Sequence, residues 1–237
     1  VSIVVPAYNE EGCIRASLNA IMEYLQTQPY KSEIIVVDDG SIDKTPEIVK
    51  EVMSKNDLIQ LLKNPSNLGK GGALKKGILS SKGEYIFFTD ADLAVPILFL
   101  GDFLNALQSG VDVVIGSRNV QGAKILMHQT LLRENMGKVF TWLSNVILST
   151  NYSDFTCGFK GFKRSVAMEL FGRQRIYNWS FDAEILFLAR KLNHRVKEIP
   201  VTWEEKGNTK VRLLRDSVSS FIGLLRVLYY KMKGYYP

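Results

Sequence analysis

Two aspartates separated by one residue, Asp90 and Asp92, follow an apolar run of the sequence and could hold a metal ion. Carboxylate oxygens suit Mg²⁺ and Mn²⁺, and Mg²⁺ commonly takes only one or two of them while substrate phosphates and water complete its shell. A solvated turn is the alternative, because aspartate is also a common turn residue. The triplet alone does not decide between these two interpretations.

Polar residues follow other apolar runs in the same way. Residues 8–10 come after the first run, Asp38 and Asp39 after the second, and Arg118 after a later one. Ligands of open parallel sheets bind outside the carboxyl ends of the strands, so these side chains would meet at one cleft if the runs are parallel strands. At such an edge the carboxylate pair at 38–39 could accept hydrogen bonds from a nucleobase or a ribose, or Asp38 could instead serve structure.

The elements that position these residues alternate between short apolar runs and segments with helical periodicity. This alternation predicts an α/β protein with a mostly parallel sheet covered by helices on both faces. The later part of the chain is less regular, and we expect it to complete the acceptor side. We predict strands at 2–6, 33–37, 58–63, 85–89 and 111–115, helices near 133–148, 181–192 and 213–230, a polar turn at 153–160 and strand character at 196–203.

A glycine-rich run, residues 69–72, lies between two of these segments. It lacks the spacing of a Walker motif and that of a dinucleotide-binding motif, which excludes a nucleoside triphosphatase. Gly69 could let the backbone approach a nucleotide, and Lys70 could add positive potential or pair with a carboxylate. A plain helix start is the alternative.

Composition limits the class of protein and its partners. With 237 residues, 46% of them hydrophobic and 23% charged, the chain suits one globular domain. Its net charge of +6 favours anionic partners, which include phosphate-bearing substrates, a membrane surface and nucleic acid. The sequence has no recognised nucleic-acid motif, so we expect no nucleic acid among its partners. Its two cysteines and two histidines are isolated, which argues against a disulfide framework and a histidine metal site.

The C-terminal segment combines apolar positions with arginine and lysine, as expected of a helix that lies in a membrane interface. An ordinary docking helix and a lead into transmembrane helices are the alternatives. The chain begins at Val1 inside an apolar run, so we expect it to be part of a longer polypeptide; its longest apolar stretch is too short to span a bilayer. We divide it into a catalytic domain, 1–211, and a membrane-proximal segment, 212–237.

The chain carries four motifs in a fixed order, at residues 6–10, 38–41, 67–71 and 90–92, and later motifs at 116–118, Arg133, 154–160, 179–184 and 203–210. The first four resemble glycosyltransferase family 2 of the Rossmann-like GT-A fold. The later motifs look like the polyprenyl-phosphate branch of that family, above all the dolichyl-phosphate β-glucosyltransferases, which are related to dolichyl-phosphate mannose synthase.

The resemblance implies a division of the site into donor, metal and acceptor residues. Asp90 and Asp92 would bind Mg²⁺ or Mn²⁺, and Arg118, Arg133 and Lys210 would hold phosphates, a role that suits guanidinium and ammonium groups. The positions that it assigns to the nucleotide sugar are Pro6, Tyr8, Glu10, Val37, Asp39, Lys70, Asp90, Ala91 and Asp92. Trp179, Asp182 and Glu184 could approach the sugar hydroxyls, and a helix cap with Trp179 in the core is the alternative.

Asp154 is the remaining catalytic candidate, beside Arg118 and Asp92. It could orient the acceptor or act as its base, or it could anchor the turn at 157–159. A lipid monophosphate has a second pKa of about 6 and is largely ionised at neutral pH, so a strong base is unnecessary.

The function implied by the resemblance is transfer of glucose from UDP-glucose to a polyprenyl or dolichyl phosphate, with inversion to a β-linked product. The enzyme would be membrane-associated with its active site facing the cytoplasm, and its oligomeric state is left open. Mannose synthases commonly carry a polar Gln or a Met-like position two residues after the triplet, whereas this chain has Ala94, which favours glucose. A GDP-mannose-dependent synthase and a non-catalytic sugar-nucleotide-binding module are the alternatives.

Overall fold

A computed structural model describes residues 1–127, 131–204, 206 and 213–236 of the chain, without the side chains of 131–133 and 213–217. Two residues assigned to phosphate binding, Lys210 and the side chain of Arg133, therefore lie outside the described part. The other predicted site residues lie within it.

A seven-stranded sheet forms the centre of the molecule, in the order β3-β2-β1-β4-β7-β5-β8. All neighbouring strands are parallel except β7, which runs antiparallel to both β4 and β5. This confirms the predicted mostly parallel sheet. The strands are β1 (Ser2–Ala7), β2 (Glu33–Asp38), β3 (Ile59–Lys63), β4 (Tyr85–Phe88), β5 (Val113–Ser117), β7 (Lys160–Lys163) and β8 (Val196–Pro200), while β6 (Lys124–Met127) and β9 (Thr202–Glu204) form a separate parallel pair.

Helices cover both faces of the sheet, and a hydrophobic cluster fills the space on each side. One cluster includes residues of α3, α6, α7 and α8, and the other includes residues of α1, α2 and α4. No helix in the described ranges is long and apolar enough to cross a membrane. The helices are α1 (Ile14–Gln26), α2 (Thr45–Met53), α3 (Lys70–Ser80), α4 (Leu100–Gln108), α5 (Leu131–Leu148), α6 (Arg164–Arg173), α7 (Phe181–Lys191) and α8 (Leu213–Met232).

The strands form where the sequence is apolar enough to be buried on both faces. Residues 3–5 of β1 and 34–37 of β2 are fully buried, as is typical of strands that are covered by helices on both sides. The five predicted strands are confirmed to within about two residues at each end, a normal disagreement for element boundaries.

The structure adds two features of the later half that the sequence did not predict. The polar turn predicted at 153–160 is confirmed up to residue 159, where β7 follows. This antiparallel strand was not predicted, because the apolar run between Lys160 and Lys163 consists of only two residues, Gly161 and Phe162. The strand character predicted at 196–203 is confirmed, but it is divided between two strands in different sheets, since the chain leaves β8 at Pro200 and pairs with β6 from Thr202.

Candidate functional site

The carboxyl ends of β2, β1 and β4 lie side by side in the sheet, which brings the residues that follow them to one edge. Pro6 is opposite Val37 in the register of β1 and β2, and β4 pairs with the other side of β1. Hydrogen bonds from backbone N–H groups to side-chain hydroxyls join the loops, since Asn9 N–H donates to Ser41 Oγ (2.9 Å) and Glu10 N–H donates to Thr45 Oγ1 (2.7 Å). The expected meeting of these loops at one edge is confirmed.

The predicted nucleoside residues differ in how they can reach a ligand. Tyr8 is 37% exposed, so its ring is accessible at the edge of the sheet. The side chains of Val37 and Ala91 are buried in the hydrophobic clusters, which leaves their backbone atoms as the groups for ligand contact. Their roles, with those of Pro6 and Glu10, stay predictions.

Asp39 holds the loop that leads into α3. Its side chain is buried, and its Oδ1 accepts hydrogen bonds from Asn64 Nδ2 (2.7 Å) and Leu68 N–H (3.0 Å). Its Oδ2 accepts one from Gly69 N–H (2.9 Å). Both oxygens thus bind the protein, an anchoring role that the sequence did not indicate. Contact of Asp39 with a nucleoside stays a prediction.

Lys70 and the acidic triplet form a compact cluster of charges. Lys70 Nζ lies 2.5 Å from Asp90 Oδ1, which confirms the predicted pairing with a carboxylate. Burial and the neighbouring charge of Asp90 raise the pKa of Asp92. Burial opposes the charged form of Lys70, but Asp90 and the nearby Asp182 outweigh it and raise the pKa of its ammonium group. The two carboxylates of the triplet therefore repel each other, and a further cation would relieve that repulsion.

The donor atoms at the triplet fit Mg²⁺ or Mn²⁺. Asp90 is about one-third exposed, and Asp92 Oδ1 accepts a hydrogen bond from Ala94 N–H (3.0 Å), which fixes the carboxylate. Nowhere in the described ranges do three or more histidine, cysteine, aspartate or glutamate side chains cluster as a metal site. Two aspartates would suffice, because these cations accept phosphate oxygens and water as their remaining ligands.

The backbone of Gly158 packs directly against the Asp90 carboxylate. A Cβ added to Gly158 would lie 1.9 Å from Asp90 Oδ2 and 2.4 Å from its Cγ, far inside the contact distance of real atoms. The absence of a side chain at this position is therefore what allows Asp90 to point toward Lys70. The sequence indicates Gly158 as part of a turn and of the motif at 154–160, and it does not indicate this contact with Asp90.

Replacing Gly158 by alanine should weaken metal binding because Asp90 must move away. We expect Mn²⁺ affinity to fall about tenfold, as for a displaced ligand, while the thermal transition shifts little. Calorimetric titration with Mn²⁺ in the presence of UDP measures the first effect, and circular dichroism measures the second. The matched control is Gly172→Ala, since a Cβ there meets no atom within 4 Å. Unchanged Mn²⁺ affinity in Gly158→Ala would contradict the inference that Gly158 leaves room for the Asp90 carboxylate.

Arg118 and Asp154 form a two-pronged ion pair in which Asp154 is buried and Arg118 is partly exposed. Arg118 Nε donates to Asp154 Oδ2 (2.7 Å) and Nη2 donates to Oδ1 (2.9 Å). Backbone N–H groups of Thr156 and Cys157 also donate to Oδ1. Burial raises the pKa of Asp154, but the Arg118 charge outweighs burial and holds it below the usual range. This geometry supports the anchoring role that the sequence left open, whereas action as a base stays a prediction.

Lys160 is a site residue that sequence reasoning missed. Its Nζ is buried and donates to Phe155 O (2.9 Å), Cys157 O (2.7 Å) and Asp182 Oδ1 (2.6 Å), so it fixes the loop that contains Gly158. Only its position, a lysine inside an otherwise apolar stretch, hinted at this role. A buried lysine with three such partners stabilises a single loop conformation.

The segment at 179–184 divides between the site and the interior. Trp179 is 37% exposed and its ring lies 5.5 Å from Lys70 Nζ, so it belongs to the site and not to the core. Glu184 instead accepts hydrogen bonds from the backbone N–H groups of Arg175 and Ile176, each at 2.8 Å. Its carboxylate is thus engaged within the protein, away from the role at the sugar that the sequence suggested.

Comparison with known proteins agrees with this fold. The model of the family "Glycosyl transferase family 2" matches residues 2–171. A dolichyl-phosphate beta-glucosyltransferase of Trichomonas vaginalis is 35% identical over 98% of this chain and 74% of that protein. Another with this name, from Saccharomyces cerevisiae, is 32% identical over 92% of this chain and 71% of that protein.

The fold also matches a solved structure. The glucosyl-3-phosphoglycerate synthase of Mycobacterium tuberculosis, in complex with Mn²⁺, UDP and phosphoglyceric acid, has a TM-score of 0.69 at 18% identity. The match covers 96% of this chain and 78% of that one. At this identity the likeness concerns the fold alone. With the family model covering most of the sequence, this chain belongs to glycosyl transferase family 2.

Proposed function

We propose that this chain transfers glucose from UDP-glucose to a dolichyl or other polyprenyl phosphate. The observation that carries the proposal is the arrangement of the triplet Asp90-Ala91-Asp92, Lys70 and Arg118 at one edge of the sheet. The names of the similar proteins support glucose as the sugar and dolichyl phosphate as the acceptor. The fold neighbour crystallised with Mn²⁺ and UDP supports a uridine nucleotide and a divalent cation.

In this proposal Asp90 and Asp92 hold Mg²⁺ or Mn²⁺ together with the diphosphate of the donor. The cation, when bound, neutralises the charge that develops on the departing UDP. Lys70, beside Asp90, adds a positive charge near the same diphosphate oxygens. Tyr8 offers an exposed ring at the end of β1 for contact with the nucleoside.

Arg118 is proposed to bind the acceptor phosphate. Its Nε and Nη2 are held by Asp154 and Thr156, and its Nη1 makes no hydrogen bond within the part of the chain that the structure describes. A guanidinium fixed on one side can present its other N–H groups to phosphate oxygens. Asp154 then acts as a positioning residue for Arg118. Arg133 and Lys210 are proposed to complete the phosphate site.

The proposed reaction is a single in-line displacement. An ionised oxygen of the acceptor phosphate forms a bond to the anomeric carbon of glucose, and the bond from that carbon to the UDP oxygen breaks. The configuration inverts from the α-linked donor to a β-linked lipid product. Because the acceptor oxygen is already ionised near neutral pH, no side chain has to remove a proton.

The experiment is a transfer assay with purified protein, radiolabelled UDP-glucose, Mg²⁺ and dolichyl or undecaprenyl phosphate. We expect label in the lipid extract, and less or none when GDP-mannose replaces UDP-glucose. Preference for GDP-mannose would correct the donor. Binding of UDP without transfer from any donor would identify a non-catalytic module instead.

We also propose that α8 and α5 rest on a membrane surface, which would place the site beside its lipid acceptor at the cytoplasmic face. Large apolar side chains on both helices are exposed to solvent, as in helices that lie in a membrane interface. They are Val139, Trp142 and Val146 on α5, and Val218, Phe221, Ile222, Leu225, Tyr229 and Met232 on α8.

Replacing the exposed Phe221 and Leu225 together by glutamate should weaken binding to anionic phospholipid vesicles, because the charges disfavour insertion of this face. We expect at least a tenfold weaker vesicle affinity, since each lost apolar contact costs about 1–3 kcal/mol. Co-sedimentation with vesicles measures it. Glutamate at the exposed Gln26 and Gln60, far along the chain from this helix, changes the net charge by the same amount and is the charge-matched control. Equal vesicle binding by wild type and the α8 variant would exclude this surface.

A further inference from the structure

The loop between α6 and α7, residues 174–180, supports the first turn of α3. Gly71 and Gly72 N–H both donate to Tyr177 O, at 2.8 and 3.3 Å. Gln174 Nε2 donates to Gly71 O (2.9 Å). The helix has no side-chain cap of its own, so this loop satisfies N–H groups that would otherwise lack a partner. We call residues 174–180 the bridging loop.

The opposite side of the bridging loop is fastened to α8. Asn178 Nδ2 donates to Ser219 O (3.1 Å) and Ser180 Oγ donates to Ser220 O (2.7 Å). The approach is close because a Cβ added to Gly223 would lie 2.4 Å from Ser180 Oγ and 2.7 Å from its Cβ. The loop is therefore held between two helices, one at the donor site and one near the C-terminus.

A second link joins the end of the described chain to the same loop. Tyr236 is buried and its hydroxyl donates to Glu184 Oε1 (2.5 Å). The carboxylate of Glu184 in turn accepts the N–H groups of Arg175 and Ile176 in the bridging loop. This is the role that the structure shows for Glu184.

The loop also carries a residue of the site itself. The Trp179 ring lies 5.5 Å from Lys70 Nζ, and Lys70 is the first residue of α3, paired with Asp90. A shift of the bridging loop would thus move both the ring and the helix turn that present this lysine. The face of α8 that touches the loop differs from the exposed face that includes Val218, Phe221 and Leu225.

We infer that docking of α8 and Tyr236 onto the bridging loop positions Lys70 and Trp179 for the donor. Binding of the donor therefore depends on the C-terminal helix. The inference rests on the proposed function, since it assumes that Lys70 faces the diphosphate. Residues of α8 act here through the loop and are positioning residues.

The test is the affinity of the purified chain for UDP with Mn²⁺, measured by calorimetry without lipid and well below the melting temperature. Gly223→Leu, which forces α8 away from Ser180, should weaken UDP binding about tenfold or more, as expected when binding groups shift by about an ångström. Tyr236→Phe removes one hydroxyl and keeps the ring packed, so it should fold and weaken UDP binding by a smaller factor. The control Arg226→Leu places the same side chain at an exposed position of α8 and should leave affinity unchanged.

A merely structural role predicts a different pattern. Both variants would then melt at lower temperature while the folded protein keeps its full affinity for UDP, and that result would overturn the inference. Failure of the wild-type chain to bind UDP with Mn²⁺ would instead overturn the proposed function, and this inference with it. Weaker binding in Gly223→Leu and Tyr236→Phe, with Arg226→Leu unaffected, supports it.

Discussion

Replacing Asp92 by asparagine should abolish metal-dependent glucosyl transfer while leaving the fold intact. Asparagine keeps an oxygen that can accept the hydrogen bond from Ala94 N–H, so the turn after β4 is preserved. It removes one of the two negative charges that the proposal assigns to the cation. Losing such an electrostatic contribution to the transition state typically lowers the rate by about a hundredfold to a thousandfold.

Stability should not fall in the same variant. Burial and the neighbouring Asp90 raise the pKa of Asp92, which means that its charged form is disfavoured in the metal-free protein. A neutral side chain removes that cost, so the thermal transition of Asp92→Asn without metal should equal or exceed that of the wild type. The control is Asp57→Asn, an exposed aspartate remote from the site. A large drop in melting temperature with Asp92→Asn would show that the residue is structural.

Replacing Asp154 by asparagine should have the opposite balance, with a large loss of stability and a smaller loss of turnover. The change leaves the guanidinium of Arg118, which is only one-fifth exposed, without the opposite charge of the buried Asp154. Breaking a buried ion pair from one side typically costs about 3–5 kcal/mol. Turnover should fall by less than in Asp92→Asn, because the acceptor phosphate needs no base and the guanidinium loses only its precise orientation.

The pH dependence provides a separate check on Asp154. Its pKa is lowered in the folded protein, so the ionised carboxylate stabilises the fold at neutral pH and this contribution is lost as the pH falls through the lowered pKa. The stability difference between wild type and Asp154→Asn should therefore be largest near neutral pH and shrink below about pH 4, the ordinary range of aspartate.

A matched control is available in an exposed ion pair. Arg15 and Glu51 also form a two-pronged pair, but both side chains are about half exposed, so Glu51→Gln should change stability little. Chemical denaturation of the wild type, Asp154→Asn and Glu51→Gln measures their free energies of unfolding. Equal loss of turnover in Asp92→Asn and Asp154→Asn, with unchanged stability in both, would contradict the proposed division between metal site and anchor.

The sequence predicted the position of the site because two local signals combine with one rule of topology. Buried apolar runs mark β1, β2 and β4, and polar residues directly follow each of these runs in the sequence. Parallel pairing then brings those residues to one edge without any knowledge of distant contacts. Pairing of Lys70 with a carboxylate was one of the two roles that the sequence suggested for this lysine, and the structure shows Asp90 as the partner.

The remaining features depend on contacts between residues far apart in the sequence. Arg118 and Asp154 are separated by 36 positions, and no local pattern shows that they pair. The strand β7 enters the sheet antiparallel between β4 and β5, which places Gly158 against Asp90. The anchoring role of Asp39 likewise depends on where the loop after β3 packs. Such placements follow from tertiary packing.

The most direct test of the central claim is the effect of Mn²⁺ on the affinity of the chain for UDP. Titration of UDP by calorimetry, with Mn²⁺ and then with a chelator, should show binding that depends on the metal in wild type. Asp92→Asn should bind UDP weakly and equally in both conditions. Equal UDP affinity of the wild type with and without metal would contradict the assignment of the cation and the diphosphate to Asp90 and Asp92.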